Sequence, residues 1–194
     1  MQILIVFALL GYVCGSIPFG KLAGRAVGID IQKRGSGNIG FANAVRVLGW
    51  KLGALVLVGD VAKGFMPTLA AYEVGGLQLA LITGLAAIIG HVYPVWLRFK
   101  GGKAIATGLG VLAVIFPLGA AVGLATYILT FSYTKKSDIG SLVAVWAVVL
   151  AALLTKSSLL GLCVALALFA MFTHRSNIKK YLVKTENQSH DARA

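Results

Sequence analysis

The sequence contains few charged residues, and very few of them are acidic. Of its 194 residues, 12% are Asp, Glu, Lys or Arg, and 18 basic residues outnumber 6 acidic ones, which gives a net charge of +12. With a hydrophobic content of 58%, this composition departs from that of soluble domains and predicts an integral membrane protein. Because cations in such proteins gather in cytoplasmic loops beside anionic headgroups, we expect membrane lipid as a partner and no nucleic acid.

Cysteine and the common motifs of catalytic and metal sites are also scarce. Cys14 and Cys163 both lie inside apolar runs, which excludes a disulfide framework or a zinc site built from spaced cysteines. The sequence has no G-x-S-x-G nucleophile motif and no H-E-x-x-H metal motif. No set of metal ligands stands out, so we predict neither a metal ion nor a cofactor.

Long apolar runs dominate the chain. They cover about residues 2 to 23, 48 to 72, 77 to 97, 105 to 133, 139 to 154 and 158 to 173. Pro117 lies in the middle of the fourth run, and a proline at that position breaks a helix. The fourth run therefore corresponds either to one span or to two short ones.

Positive charge decides between six spans and seven, because Lys and Arg in short loops are retained on the cytoplasmic side. With seven spans and the N-terminus outside, only Lys156 falls in an outside loop. We therefore expect an all-α integral membrane protein of about seven transmembrane helices, some of them short, with a cytoplasmic C-terminus. Residues 1–184 would form a single polytopic domain, and the polar residues 185–194 a disordered tail.

Seven spans bring four polar segments to one side of the membrane. They are "RGSGNIGFANAVR" (residues 34–46), "RFKGGKAIATG" (98–108), "TKKSDIGS" (134–141) and "THRSNIKKYLVKTE" (173–186). Each combines cations with Gly, Ser, Thr or Asn. Glycine lets backbone N–H groups approach an anion and Lys or Arg supplies charge, so the combination favours phosphate binding.

The first segment contains G-x-G-x-x-G, the dinucleotide fingerprint, between Gly35 and Gly40. A dinucleotide site would need a preceding strand and an acidic residue about 20 residues later. A membrane span precedes this segment instead, and Asp60 lies inside the next span. A plain linker remains an alternative, but Ser36 and two asparagines add donors and acceptors that a linker does not require.

Two further groups of cations have a functional and a structural interpretation. Arg46, at the start of a span, can bind a phosphate through its guanidinium or act as a positive-inside anchor. In "FKGGKA", two glycines lie between Lys100 and Lys103 before a short span. They predict an anion-binding turn that leads into a helix N-terminus, or a glycine loop with snorkelling lysines.

Three ionisable residues lie away from the ends of the apolar runs. Asp60 and Lys63 are three residues apart on one helical face and can neutralise each other in the bilayer, as a structural ion pair or as part of a proton or ion relay. His91, in "GHVYP", is a packing residue or a functional one.

Together these segments resemble the motifs of a known family. "GSGNIGFAN...R", "GHVYPVWLRFKGGKAIATGLG" and "HRSNIKKYL..TE" are similar to the three motifs of the bacterial acyl-phosphate:glycerol-3-phosphate acyltransferases, the PlsY family. The similarity extends over nearly the whole chain, including "GSIPFGKL" and "GDVAKGFMP". No Asp follows His91 or His174 at the fifth position, so the H-x-x-x-x-D pattern of other glycerolipid acyltransferases is missing.

The resemblance implies an enzyme of the bacterial inner membrane with its site facing the cytoplasm. It would transfer a fatty acyl group from acyl phosphate to the 1-hydroxyl of glycerol 3-phosphate, giving lysophosphatidic acid and inorganic phosphate in the first step of phospholipid synthesis. Transfer would be direct, without a covalent enzyme intermediate. An upstream enzyme that forms acyl phosphate would be a further partner.

The resemblance also implies a set of site residues. The catalytic residues would be Ser36, Arg46, His91, Lys103 and Asn177. The substrate-binding residues would be Gly37, Asn38, Asn43, Lys100, Gly101, Gly102 and Ser141. Glu186 matches a structurally important acid, and Asp60 with Lys63 would be structural as well. Either His91 or a phosphate oxygen of the substrate would take the proton of the attacking hydroxyl.

The chain departs from the family pattern at several positions. Phe41 and Ala42 replace residues of a usual "GATN", Ala104 replaces a usual glycine, and Asp138 stands where a serine is usual. A carboxylate there would repel phosphate unless Lys135 or Lys136 neutralised it. A small-molecule or anion transporter built on the Asp60 and Lys63 pair is the alternative function, although the sequence lacks the internal repeat of that class. A catalytically idle lipid-binding scaffold is another.

Overall fold

The helices account for most of the chain. The computed structural model describes the backbone of residues 1–191 and the side chains of residues 1–183. Its helices are α1 (Gln2–Ser16), α2 (Phe19–Ala26), α3 (Phe41–Leu48), α4 (Trp50–Val92), α5 (Ile105–Ile115), α6 (Pro117–Thr134), α7 (Ser137–Leu154), α8 (Leu160–Thr173) and α9 (Arg175–Asp191). Two short 3-10 helices cover Ile31–Lys33 and Val95–Leu97. Residues 1–191 contain no strand, which confirms the predicted all-α class.

The helix breaks fall at glycine and proline. Gly75 and Gly76 leave the helical conformation inside α4, with Gly76 at φ 66°, and divide it into arms of residues 50–74 and 77–92. Phe116 separates α5 from α6, whose first residue is Pro117. Proline is well tolerated there because the first helical N–H has no partner within the helix. The predicted separation of the second and third apolar runs and the predicted break at Pro117 are both confirmed.

Several helices are suited to a membrane. By length and composition, three helical segments can cross one, namely Gln2–Ala26, Trp50–Leu97 and Ser137–Leu154. The pair Leu160–Thr173 and Arg175–Val183, bent by 60°, raises that number to at most four in the described part of the chain. Helix α5 has 11 residues, which rise about 16 Å against a hydrocarbon core of about 30 Å. The seven-span topology and the orientation of the termini stay predictions.

Helix α1 packs closely on the second arm of α4. A Cβ on Gly11 would collide with the carbonyl oxygen of Thr83, and one on Gly15 with that of Ala87. From the other side, a Cβ on Gly90 would meet the carbonyl oxygen of Tyr12. Small residues permit this backbone approach in membranes, where helix association depends on van der Waals packing.

Helix α5 lies against both arms of α4. Gly64 and Gly110 allow α4 and α5 to touch backbone to backbone, while Val111 packs against Gly84 of the second arm. A separate apolar cluster joins the first polar segment to this bundle. It contains Ile31, Ile39, Ala44 and Val56, with Leu97 packed against it.

The end of the chain differs from the sequence expectation. The tail predicted to be disordered from residue 185 continues α9 as a helix to Asp191. The sequence of α9 contains no Gly or Pro to end the helix and includes the good helix formers Lys, Leu, Glu and Gln. Residues 192–194 and the side chain of Glu186 lie outside the described part of the structure, so the structural role expected for Glu186 stays a prediction.

The contact between α1 and α4 predicts the effect of one added methyl group. Gly15→Ala should lower the melting temperature because the new Cβ overlaps the Ala87 backbone, and overpacking costs about 1–3 kcal/mol. Gly161→Ala, in α8, is the matched control because its Cβ would meet nothing within 4 Å. Thermal unfolding of the detergent-solubilised proteins measures both. Equal melting temperatures for the two variants would contradict the close packing of α1 on α4.

Candidate functional site

Asn43 holds the first polar segment in shape. Its Oδ1 accepts a hydrogen bond from the Ser36 N–H at 2.9 Å. Its amide nitrogen lies 3.2, 3.1 and 2.8 Å from the carbonyl oxygens of Ile31, Arg34 and Asn38. The side chain is 2% exposed. Both ends of this amide are therefore taken up by the loop backbone, which favours a role in shaping the loop over the expected contact with substrate.

The same loop leaves polar groups on its outer surface. Ser36 is exposed, and its hydroxyl oxygen accepts only a long hydrogen bond, 3.5 Å, from the Asn38 N–H. The Asn38 side chain turns back and accepts a hydrogen bond from the Gly40 N–H at 2.8 Å. Gly37 has φ 72°, a conformation that glycine adopts without strain. Among Ser36, Asn38 and Asn43, Ser36 thus has the side chain that is most open to a ligand.

Arg46 does not lie at the start of a membrane helix, as the sequence had suggested. It belongs to α3, a helix of 8 residues that ends at Gly49, whose φ of 85° redirects the chain into α4. The guanidinium is exposed and makes no hydrogen bond or ion pair with any described residue. A cation in this state is available to an anion, because guanidinium groups bind phosphate with two parallel N–H donors.

The glycine turn of the second segment lies on His91. The Gly101 N–H donates to the Val92 carbonyl at 3.0 Å, and the Gly102 N–H to the His91 carbonyl at 3.1 Å. A Cβ on Gly102 would collide with the imidazole Nε2. The two N–H groups satisfy carbonyls at the end of α4, so an anion at this turn would have to bind other groups. These glycines instead permit the turn to pass over the ring.

His91 is enclosed in a buried polar group. It is 3% exposed, and its Nδ1 lies 3.0 Å from Thr107 Oγ1 and 3.7 Å from Asp60 Oδ1. Asp60 Oδ1 is 2.8 Å from Lys63 Nζ, and both side chains are 2% exposed. Lys63 also donates to the Ile17 carbonyl at 2.8 Å. The ion pair predicted from the spacing of Asp60 and Lys63 is thus present and satisfied within the protein.

A chain of hydrogen bonds joins the second, third and fourth polar segments. Lys103 Nζ donates to Asn177 Oδ1 at 2.7 Å, and Asn177 Nδ2 donates to Asp138 Oδ2 at 2.7 Å. The Tyr181 hydroxyl donates to the same carboxylate at 3.1 Å. Neither Lys135 nor Lys136 forms an ion pair with Asp138 in the described structure. The sequence had left neutralisation by these lysines open, and in the structure the amide and the hydroxyl occupy the carboxylate instead.

Lys103 carries its charge without a carboxylate in direct contact. It is partly buried at the turn before α5. Burial lowers the pKa of its ammonium group below the ordinary lysine value, the Asp138 carboxylate raises it, and Lys180 lowers it. The neutral oxygen of Asn177 holds the ammonium in place. Its positive charge is consequently not cancelled by a bound carboxylate and can act on an anion.

Other contacts draw the polar segments together. Gln32 Nε2 donates to the Lys100 carbonyl at 3.1 Å, which ties the first segment to the second. The Lys100 side chain is exposed. The Thr173 hydroxyl donates to the Lys103 carbonyl at 3.4 Å, which ties the second to the fourth. In α7, Ser141 is 4% exposed, and its hydroxyl donates to the Ser137 carbonyl at 2.8 Å.

His174 was missed as a candidate by sequence reasoning. It is 2% exposed at the junction of α8 and α9, and its Nδ1 donates to the Ala170 carbonyl at 2.8 Å. It lies close enough to the Lys103 ammonium to interact with it electrostatically. Its place at the head of "HRSN" was the available signal, but a lone histidine at the end of an apolar run is common in protein cores.

The site is therefore rich in cations, hydroxyls and amides. Among the described residues, no group of three or more His, Cys, Asp and Glu side chains is placed to hold a metal ion. Arg46, Lys100 and Lys103 form no ion pair with a carboxylate in this part of the chain. Such a surface suits ligands with anionic oxygens.

Comparison with known sequences agrees with this chemistry. Residues 5–184 match the profile of the family described as "Glycerol-3-phosphate acyltransferase". The chain is 42% identical over 185 residues to a glycerol-3-phosphate acyltransferase of Myxococcus xanthus, covering 93% of this chain and 96% of that protein. It is 44% identical over 189 residues to one of Geotalea daltonii, covering 94% and 96%.

Two crystal structures share the fold. Both are of PlsY, an integral membrane glycerol 3-phosphate acyltransferase, one in the glycerol 3-phosphate form and one in the lysophosphatidic acid form. Each is 32% identical to this chain and covers 93% of it and 92% of the solved chain, with TM-scores of 0.88 and 0.86. On these similarities in sequence and structure, the chain belongs to the PlsY family of glycerol-3-phosphate acyltransferases.

Proposed function

We propose that this chain transfers a fatty acyl group from acyl phosphate to the 1-hydroxyl of glycerol 3-phosphate. The products are lysophosphatidic acid and inorganic phosphate, and the reaction is the first step of phospholipid synthesis. The observation that carries the proposal is the Lys103 ammonium, held by the neutral Asn177 oxygen at 2.7 Å with no carboxylate bound to it. Its charge is available to a phosphate group.

The two substrates each bring a phosphate, and the site offers two cations, each beside a neutral polar residue. Arg46 and Ser36, both exposed in the first segment, suit one phosphate, and Lys103 with Asn177 suits the other. Acyl phosphate is a mixed anhydride with a good leaving group, so it needs no enzyme nucleophile. Clamping both phosphates brings the hydroxyl to the acyl carbonyl, and the rate then comes from positioning and charge neutralisation.

The transfer is a direct displacement. The 1-hydroxyl oxygen of glycerol 3-phosphate attacks the acyl carbon, a new ester C–O bond forms, and the C–O bond to phosphate breaks with its electron pair. The hydroxyl proton passes to a phosphate oxygen. Lys103 and Arg46 neutralise the charge on the phosphates during this step.

The burial of His91 favours a phosphate oxygen over imidazole as the base. The ring is 3% exposed, its Nδ1 lies 3.0 Å from Thr107 Oγ1, and its Nε2 faces Gly102. A general base must come within hydrogen-bond reach of the proton it removes. We therefore assign His91 to the support of the glycine turn that leads into Lys103.

The membrane arrangement in this proposal follows the distribution of cations. The site faces the cytoplasm of a bacterial inner membrane, with seven spans, the N-terminus outside and the acyl chain along the short helices. Acyl phosphate comes from an upstream enzyme. The transporter alternative gains no support from Asp60 and Lys63, because each is bound within the protein.

In this mechanism, activity depends on the positive charges of Arg46 and Lys103. Arg46→Gln and Lys103→Gln should each lower kcat/KM by about 100-fold or more, the size of effect seen when one transition-state donor is removed. Lys156→Gln, an exposed cation outside the four polar segments, should change it less than about twofold. The assay is glycerol 3-phosphate-dependent phosphate release from palmitoyl phosphate, with lysophosphatidic acid identified by mass spectrometry.

Well-folded wild-type protein that releases no phosphate in response to glycerol 3-phosphate would contradict the proposed function. Measurement of solute flux into proteoliposomes would then test the transporter.

Replacement of His91 tests the identity of the base. If a phosphate oxygen takes the proton, His91→Gln should lower kcat by a factor that stays constant from mildly acidic to neutral pH, the range in which a histidine base would titrate. Thr107→Val, which removes the hydroxyl beside the ring, is the matched control and should show the same flat ratio. A ratio that follows the titration of a histidine would identify His91 as the base.

A further inference from the structure

Asp138 places a carboxylate next to a site built for anions. It is partly buried in the first turn of α7, where a negative charge is favourable to the helix dipole. It does not bind Lys103 directly, since Asn177 lies between them. A carboxylate in that position repels phosphate, so we expect it to contribute to the site in another way.

The partners of Asn177 determine which way its amide points. A carboxylate only accepts hydrogen bonds and an ammonium only donates them. The Asn177 N–H group must therefore face Asp138, at 2.7 Å, and the amide oxygen must face Lys103, also at 2.7 Å. The orientation follows from the chemistry of the two neighbours, which is the criterion by which amide orientations are assigned.

Two further donors keep the carboxylate fixed. The Tyr181 hydroxyl lies 3.1 Å from both oxygens, and the Ile139 N–H donates to Oδ1 at 3.1 Å. Asn177 and Tyr181 are four residues apart on α9 and so lie on one face of that helix. One carboxylate thus holds the start of α7 and a face of α9 together.

We propose that Asp138 is a positioning residue for acyl transfer, which fixes the Asn177 amide so that its oxygen holds Lys103 and its second N–H is left for the substrate. The inference rests on the proposed function and deepens it. Asp138 takes one N–H of the Asn177 amide, and no described residue takes up the second. That second N–H is the donor left for an oxygen of the phosphate that Lys103 binds.

Asp138 also acts on the charge of Lys103. The charged and titratable groups that face this ammonium are Asp138 from α7, Lys180 from α9 and His174 from the junction of α8 and α9. Burial and Lys180 lower the Lys103 pKa, and the Asp138 carboxylate opposes them. Removal of that carboxylate lowers the Lys103 pKa further, so the ammonium form is lost at a lower pH as the pH rises.

A double-mutant cycle tests whether Asp138 acts through Asn177. Asp138→Asn should lower kcat/KM about tenfold in the otherwise wild-type enzyme. The new amide at position 138 can both donate and accept, so the Asn177 amide can adopt either of its two flipped orientations. In an Asn177→Ala background, at a pH where Lys103 stays fully protonated in every variant, the same change should have less than about twofold effect. Glu73→Gln, an exposed acid at the kink of α4, should leave both backgrounds unchanged. Equal losses in the two backgrounds would overturn the proposal.

A second measurement does not depend on catalysis. Competitive acetylation of lysines in folded protein, quantified by mass spectrometry over a pH series, reports the deprotonation of Lys103. The half-labelling pH of Lys103 should be lower in Asp138→Asn than in wild type and unchanged in Tyr181→Phe, which keeps the carboxylate. An unchanged value in Asp138→Asn would overturn the proposal. If the wild-type protein has no acyltransferase activity but the half-labelling pH of Lys103 still falls in Asp138→Asn, the proposed function is refuted. The coupling between Asp138 and Lys103 is then still established.

Discussion

The buried ion pair of Asp60 and Lys63 holds together the helices on which the site is built. Lys63 binds the Ile17 carbonyl where α1 ends, and Asp60 lies 3.7 Å from the His91 ring at the other end of α4. Removing one partner of such a pair costs about 3–5 kcal/mol because it leaves a buried charge uncompensated. The α1–α2 junction, both arms of α4 and the turn over His91 therefore depend on one another for position.

Charged side chains have different partners in the helical scaffold and in the polar segments. In the scaffold, Asp60 and Lys63 satisfy each other and are closed to solvent. In the polar segments, Arg46 is exposed, and Lys103 is held by an amide oxygen, so each keeps its positive charge for a ligand. Asp138 belongs to neither class, because it stabilises the site through Asn177 and not by pairing with a cation.

Local patterns predicted much of the fold, while long-range contacts escaped them. Apolar runs, glycines and Pro117 marked the helices and their breaks, and a three-residue spacing predicted the pair of Asp60 and Lys63. The inward turn of Asn43 was not predictable, because it depends on carbonyls brought near only by the folded loop. The partner of Asp138 lies 39 residues away, and no periodicity indicates which side chain α9 presents to α7.

The Lys103–Asn177 contact joins residues 74 positions apart, which makes the order of synthesis relevant. At the usual rate of about 5–20 residues per second, Asn177 leaves the ribosome about 4–15 s after Lys103. Helix α7, with Asp138, is made within that interval. The polar contacts around Lys103 can therefore be completed only after the last helix has been made.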